Sequence, residues 1–216
     1  MNKIFNKYSI ITQFDFSKCF MCICFSLTAC NKDVTRDGLI EYINNPANGL
    51  KKEQVIGDFH ISAIYRPNDL MVAQDLMGKN INDSVIEAIK ASYKPYIYFL
   101  VDLSYKDQEI INLKINSEES YIKAIDNLAF NMKEYCYIIS SNEDTVYPTD
   151  CIYSRHYGMT GSNTVLLIFE NEKIFNTKIF ELIIEDHEFG FGKAIFKYRI
   201  IDVKKALKLI CNYSIN

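Results

Sequence analysis

Residues 179–185 read Ile-Phe-Glu-Leu-Ile-Ile-Glu, and residues 194–201 read Ala-Ile-Phe-Lys-Tyr-Arg-Ile-Ile, with Asp-His-Glu-Phe-Gly-Phe-Gly-Lys between them. In an extended chain successive side chains point to opposite faces. Phe180, Leu182 and Ile184 therefore share one face, and Glu181 and Glu185 share the other with Ile183. In the second run Phe196, Tyr198 and Ile200 alternate with Lys197 and Arg199. The glycine-bearing turn between the runs is too short for a helical crossover, so the two strands pair antiparallel. Opposite charges then meet on the wet face.

Working backwards, Tyr135–Ile139, Cys151–Tyr157 and Thr164–Phe169 follow the same alternating or continuous apolar pattern, and short connections again predict antiparallel neighbours. The first half of the chain reads differently. Residues 35–45 suit a helix that stops before Pro46, because the residue ahead of a proline avoids helical geometry. Asn48-Gly49 turns the chain. Lys52–Ile56 and Phe59–Tyr65 flank Gly57-Asp58, a hairpin connection. Asp69–Met77 suits a short helix. Ser84-Val85-Ile86-Glu87 has the spacing of a capping box, followed by the stripe Val85, Ile86, Ile89, Tyr93. Pro95 closes that helix, and Tyr96–Leu103 is an apolar run of strand length. A third helix is capped by Ser117 or Asn116, carries Glu118 and Glu119 at its positive end, and repeats Ile122, Ile125, Leu128, Ala129 and Met132 at helical spacing. The pattern predicts an α+β fold: an antiparallel sheet mainly from the C-terminal half, with helices from the N-terminal half packed on one face.

Near the start, Cys19-Phe-Met-Cys-Ile-Cys-Phe-Ser-Leu-Thr-Ala-Cys30 is a short apolar run behind Lys3, Lys7 and Lys18. It is far shorter than the roughly 20 residues a membrane-spanning helix needs. A basic stretch, an apolar core and small residues before the cut are the parts of a secretory signal. Leu27-Thr28-Ala29-Cys30 resembles the lipobox of bacterial lipoproteins. That resemblance implies removal of residues 1–29 and a lipidated tether at 30–34, and the remainder, 35–216, with no internal repeat or interior linker, reads as a single α+β domain. It also implies that Cys30 carries a diacylglyceryl thioether and usually an N-acyl chain. Two or more acyl chains anchor a protein stably where one holds only marginally.

Of 24 basic residues the signal takes three, and of 27 acidic residues one, leaving 21 and 26 and a formal charge of −5. Such a balance argues against nucleic-acid binding. Cys19, Cys22 and Cys24 leave with the signal and Cys30 is lipidated, so Cys136, Cys151 and Cys211 remain. Cys136 and Cys151 flank the segment Ser140–Asp144 and are the candidate disulfide, with two buried free thiols as the alternative. Cys211, among Leu207, Leu209 and Ile210, reads as a core residue.

The densest chemistry is Asp186-His187-Glu188 beside Phe189-Gly190-Phe191-Gly192. A metal site there needs His60 or His156 brought in by the fold, whereas a polar turn whose glycines supply positive φ needs nothing more. Cys151 and His156 make a conceivable thiol and base, but on one strand they face opposite sides. His60 alternates with Phe59 and Ile61 and belongs to a solvated face. No phosphate loop, nucleophile elbow or dinucleotide fingerprint occurs, and no cofactor or metal ion is called for.

Asn48-Gly49-Leu50, with the later Tyr65-Arg66-Pro67-Asn68-Asp69, resembles a pattern in uncharacterised lipoproteins of the Bacteroidota type, as does the Asn-, Ile- and Lys-rich composition. The resemblance implies attachment to the outer membrane rather than the inner, with the face left open. The expected function is a non-enzymatic binding or assembly module held to the membrane through lipid on Cys30, with an unknown envelope protein or ligand as partner. The alternatives are a hydrolase of an envelope polymer using Asp186, His187 or Glu188, and a small-ligand or immunity-type binder using the aromatic surplus.

Overall fold

A computed structural model describes residues 32–77, 82–156 and 159–211 of the 216, and these described residues form one compact unit. The segment Leu27–Cys30 expected to act as a lipobox lies outside the described residues. In chain order the elements are β1 (Lys32–Val34), α1 (Arg36–Asn44), β2 (Lys51–Ile56), β3 (Phe59–Arg66), α2 (Asn68–Leu76), α3 (Asp83–Tyr93), β4 (Tyr96–Tyr105) and β5 (Gln108–Glu109). There follow α4 (Glu118–Asp126), α5 (Met132–Tyr135), β6 (Cys136–Ser140), β7 (Thr145–Val146), β8 (Asp150–Ser154), β9 (Asn163–Glu170) and α6 (Glu172–Phe175). β10 (Ile179–Glu185), β11 (Lys193–Arg199), α7 (Ile200–Ala206) and β12 (Leu209–Cys211) complete the fold.

The α+β class holds, and the two main sheets are antiparallel throughout. The larger runs β2-β3-β4-β9-β8, with β5 beside β4, and the smaller runs β11-β10-β6-β7. Strands thus come from both halves of the chain, and helices occur in both. β9 and β10 are not neighbours as their sequence proximity suggests. The short α6 lies between them, β9 pairs with β4 and β8, and β10 pairs with β6 and β11. A parallel pair, β1 with β12, ties the first described residues to the last. Cys211 pairs there with Val34, and its side chain is not among those described.

Alternation explains the core. Ile61, Ala63 and Tyr65 of β3, Ile97, Phe99, Val101 and Leu103 of β4, and Val165, Leu167 and Phe169 of β9 are all buried in one cluster with Phe180, Leu182, Ile184, Phe196 and Tyr198 from the smaller sheet. Phe99 is the hub. Its ring centroid lies 5.9 Å from that of Tyr65, 6.1 Å from Phe169, 5.9 Å from Phe180 and 5.1 Å from Tyr198. Tyr198 crosses between the sheets and donates from its hydroxyl to the Ala63 carbonyl at 2.7 Å. Truncating a buried phenylalanine in such a site costs about 3–5 kcal/mol. The charged pairs of the β10–β11 hairpin form on its wet face, Glu181 with Lys197 at 3.4 Å and Glu185 with Lys193 at 3.0 Å.

Local differences have local causes. α3 is capped by Asn82, whose side chain accepts from the Val85 amide, so Ser84 is not the cap and instead donates to Asn82 at 2.8 Å. β11 ends at Arg199, where α7 takes over. β8 ends at Ser154, which puts His156 in the loop beyond it. Ser117 caps α4 as expected, accepting from the Ser120 amide. After Asp126 the helix widens into a π turn, Asn127–Asn131, before α5. The buried line there is Ala124, Leu128 and Met132, while Ile122 stays half exposed.

Candidate functional site

The acidic-histidine turn serves the fold. Asp186 accepts from the backbone amides of Glu188, Phe189, Gly190 and Phe191, which curls the β10–β11 connection around one carboxylate. Gly190 and Gly192 adopt φ of 103° and 79°, the left-handed geometry that this curl demands. Glu188 turns the other way and takes Lys123 at 3.0 Å, Lys114 at 3.2 Å and the Asn127 amide at 3.2 Å. His187 lies over Tyr135, ring centroids 4.4 Å apart, with Nε2 3.9 Å from Glu185. The three side chains therefore do three separate jobs, and the hollow beside them measures ≈ 20 Å³, room for about one water. Burial pushes the Glu188 carboxyl upward, but the lysine hydrogen bonds outweigh it and hold the group below its ordinary value.

Other expected residues stay apart. His60 is half exposed on the outer face of β3, 4.0 Å from Glu53. Cys136 is fully buried at the start of β6, Cys151 is half-buried on β8, and both thiols are free. Burial pushes the Cys136 thiol well up, and the nearby Cys151 adds to it. Cys151 is pushed up to about 12, chiefly by burial and then by Asp150. Among the described residues no three acidic, histidine or cysteine side chains gather around a metal-sized space, and no helix is long and apolar enough to cross a membrane.

A different place has the shape of a binding site. Between α4 and the edge strand β8 lie two adjoining hollows that share Tyr153 and Arg155. The first, ≈ 450 Å³, is walled by Ile111, Ile115, Glu118 and Tyr121 and floored by Glu109. The second, ≈ 420 Å³, is walled by Ile122, Ile125, Ala129 and Phe130. Each falls within the range of ligand clefts, about 300–1,000 Å³. Around them large apolar side chains face solvent: Phe130 is 68% exposed, Ile115 61% and Ile122 51%.

The floor is rigid and polar. Asn163, fully buried at the start of β9, donates to Glu109 at 3.2 Å and to the Tyr153 hydroxyl at 2.9 Å, and its oxygen accepts from the Ile111 amide at 3.0 Å. Thr160 donates to the other Glu109 oxygen at 3.2 Å. Burial, followed by the Glu109 charge, pushes Tyr153 up to about 12, so its hydroxyl keeps its proton and remains a donor. No local sequence signal marks Glu109, Asn163 or Tyr121, because the network joins residues 54 positions apart.

The π turn helps to make the groove. A wide turn adds a residue and rotates the helix beyond it by roughly 100°. Leu128 and Met132 keep their places in the core while Phe130 is turned outward. No protein-family model, curated protein or solved structure matches this chain.

Proposed function

We propose that the chain is a non-enzymatic binding or assembly module of the bacterial cell envelope, held at the outer membrane by lipid on Cys30 and engaging its partner with the groove between α4 and β8. The observation that carries the binding part is the exposure of Phe130, Ile115 and Ile122 around two adjoining hollows on a hydrogen-bonded floor. Contiguous exposed apolar surface rimmed by polar groups marks an interaction site. The lipobox supplies the tether, and a tether suits a module that captures rather than diffuses.

The test is co-purification from detergent-solubilised envelopes, comparing the wild type with Phe130→Asp. Phe130 lies outside the core, so the substitution leaves the fold intact. A partner retained by the wild type and lost from the variant supports the reading; identical protein profiles from both would overturn it.

A further inference from the structure

We infer that the α4–β8 groove accepts a basic amphipathic segment of a protein partner, laid with its apolar side chains in the two hollows and its cationic side chains over the α4 rim. This rests on the binding role proposed above and names the chemistry of the partner. Helix-in-groove recognition reads apolar anchors on one face of the guest. The walls carry aliphatic side chains, Ile111 and Ile115 in one hollow and Ile122, Ile125 and Ala129 in the other, beside the rings of Tyr121, Tyr153 and Phe130. The four isoleucines give aliphatic or aromatic anchors of the guest a place to pack.

Charge decides the sign of the guest. Glu118 lines the first hollow, Asp126 the second, and both share a further surface hollow with Glu119 and Lys123. None of the three carboxylates forms an ion pair or side-chain hydrogen bond within the described residues. The neighbouring lysines do not offset them, because Lys114 and Lys123 are both drawn to Glu188. Arg155 stands at the junction of the hollows, and Glu109 on the floor is held by Asn163 and Thr160, so the acids that rim the groove are those of α4. Complementary charge of this kind steers encounter and fixes orientation. The guest therefore carries lysines or arginines along the edge that meets α4.

Fluorescence anisotropy with the full chain tests this directly. The probe is a labelled amphipathic peptide of leucine and lysine in helical spacing, set against the same peptide with glutamate for lysine. The leucine–lysine peptide should bind, weaken as salt rises, and lose about tenfold or more in affinity on Phe130→Asp or Ile122→Asp. Glu119→Lys combined with Asp126→Lys should weaken the lysine peptide and improve the glutamate one. Equal binding of both peptides, or unchanged binding to the groove variants, would overturn the inference. So would concentration-dependent self-association abolished by Phe130→Asp, which would give the groove to a second copy of the chain. A partner captured from envelopes through the groove without any affinity for the basic peptide would overturn the charge assignment alone and leave the binding role standing.

Discussion

Lys123 on α4 and Glu188 in the β10–β11 turn lie 3.0 Å apart, so the hairpin that closes the smaller sheet also holds the helix that walls the groove. Glu188 is nearly buried while Lys123 is largely exposed. Solvent screens the Lys123 half of the contact, and the Lys114 and Asn127 contacts to the same carboxylate are the better protected ones. Glu188→Gln should cost about 1 kcal/mol and Glu188→Ala about 2 kcal/mol, the usual scale for losing hydrogen bonds to a charged group. Urea unfolding measures both. The α4 wall should also loosen, seen as faster amide exchange in 118–126 without change in β3 or β4.

The same carboxylate predicts an acid dependence. Its folded pKa lies below the ordinary value of about 4.5, so the unfolded chain binds the proton more readily. The stability it contributes is present in full above about pH 4.5 and is lost as pH falls through the lower folded value. Glu185, held down first by its hydrogen bonds from Tyr137 and Lys193, acts in the same direction. Unfolding curves between pH 6 and pH 3 should fall less steeply for Glu188→Gln than for the wild type. Parallel curves would show that the carboxylate is not paired as described.

Asn163→Leu should be among the most damaging substitutions of similar size. It removes a donor to buried Glu109 and the acceptor for the Ile111 amide together, and a buried polar group left without its partner costs about 1–3 kcal/mol. Tyr153→Phe removes one hydroxyl at the groove wall and should cost about 1 kcal/mol. Thermal or urea unfolding that ranked the two in the opposite order would contradict the network.

Cys136 and Cys151 should be slow to alkylate in the native protein near neutral pH, since burial raises both thiols and the thiolate is the reactive form. Of the two, half-buried Cys151 should react first as pH rises. Denaturant without reductant should release both for labelling. Failure to label after denaturation would show instead the bridge between Cys136 and Cys151.

Much of the strand content was legible because its signals are local. The β10–β11 register follows from alternation across a short turn, and the Gly57-Asp58 hairpin from a glycine that takes φ of 60°. α7 hides because Ile200-Ile201 extend the apolar, β-branched run of β11, and only tertiary packing of Val203 and Ala206 decides for helix. The β1–β12 pair links residues almost the whole described chain apart and leaves no trace in either segment. The groove was hidden for two reasons. Regular helical spacing counts Ile122 as inward until the π turn resets which positions pack, and Asn163 gains its meaning only when β9 meets Glu109. Asp186, His187 and Glu188 stood out for their proximity in sequence, yet adjacent side chains diverge, and each found a different partner.

Lipid at Cys30 is what makes the proposed role a tethered one, and metabolic labelling with an alkyne fatty acid tests it most directly. The wild type should take up label and sediment with membranes, while Cys30→Ala should stay unlabelled and leave the membrane fraction. Equal labelling of the two proteins, or a native wild-type polypeptide that still carries residues 1–29, would contradict the tether.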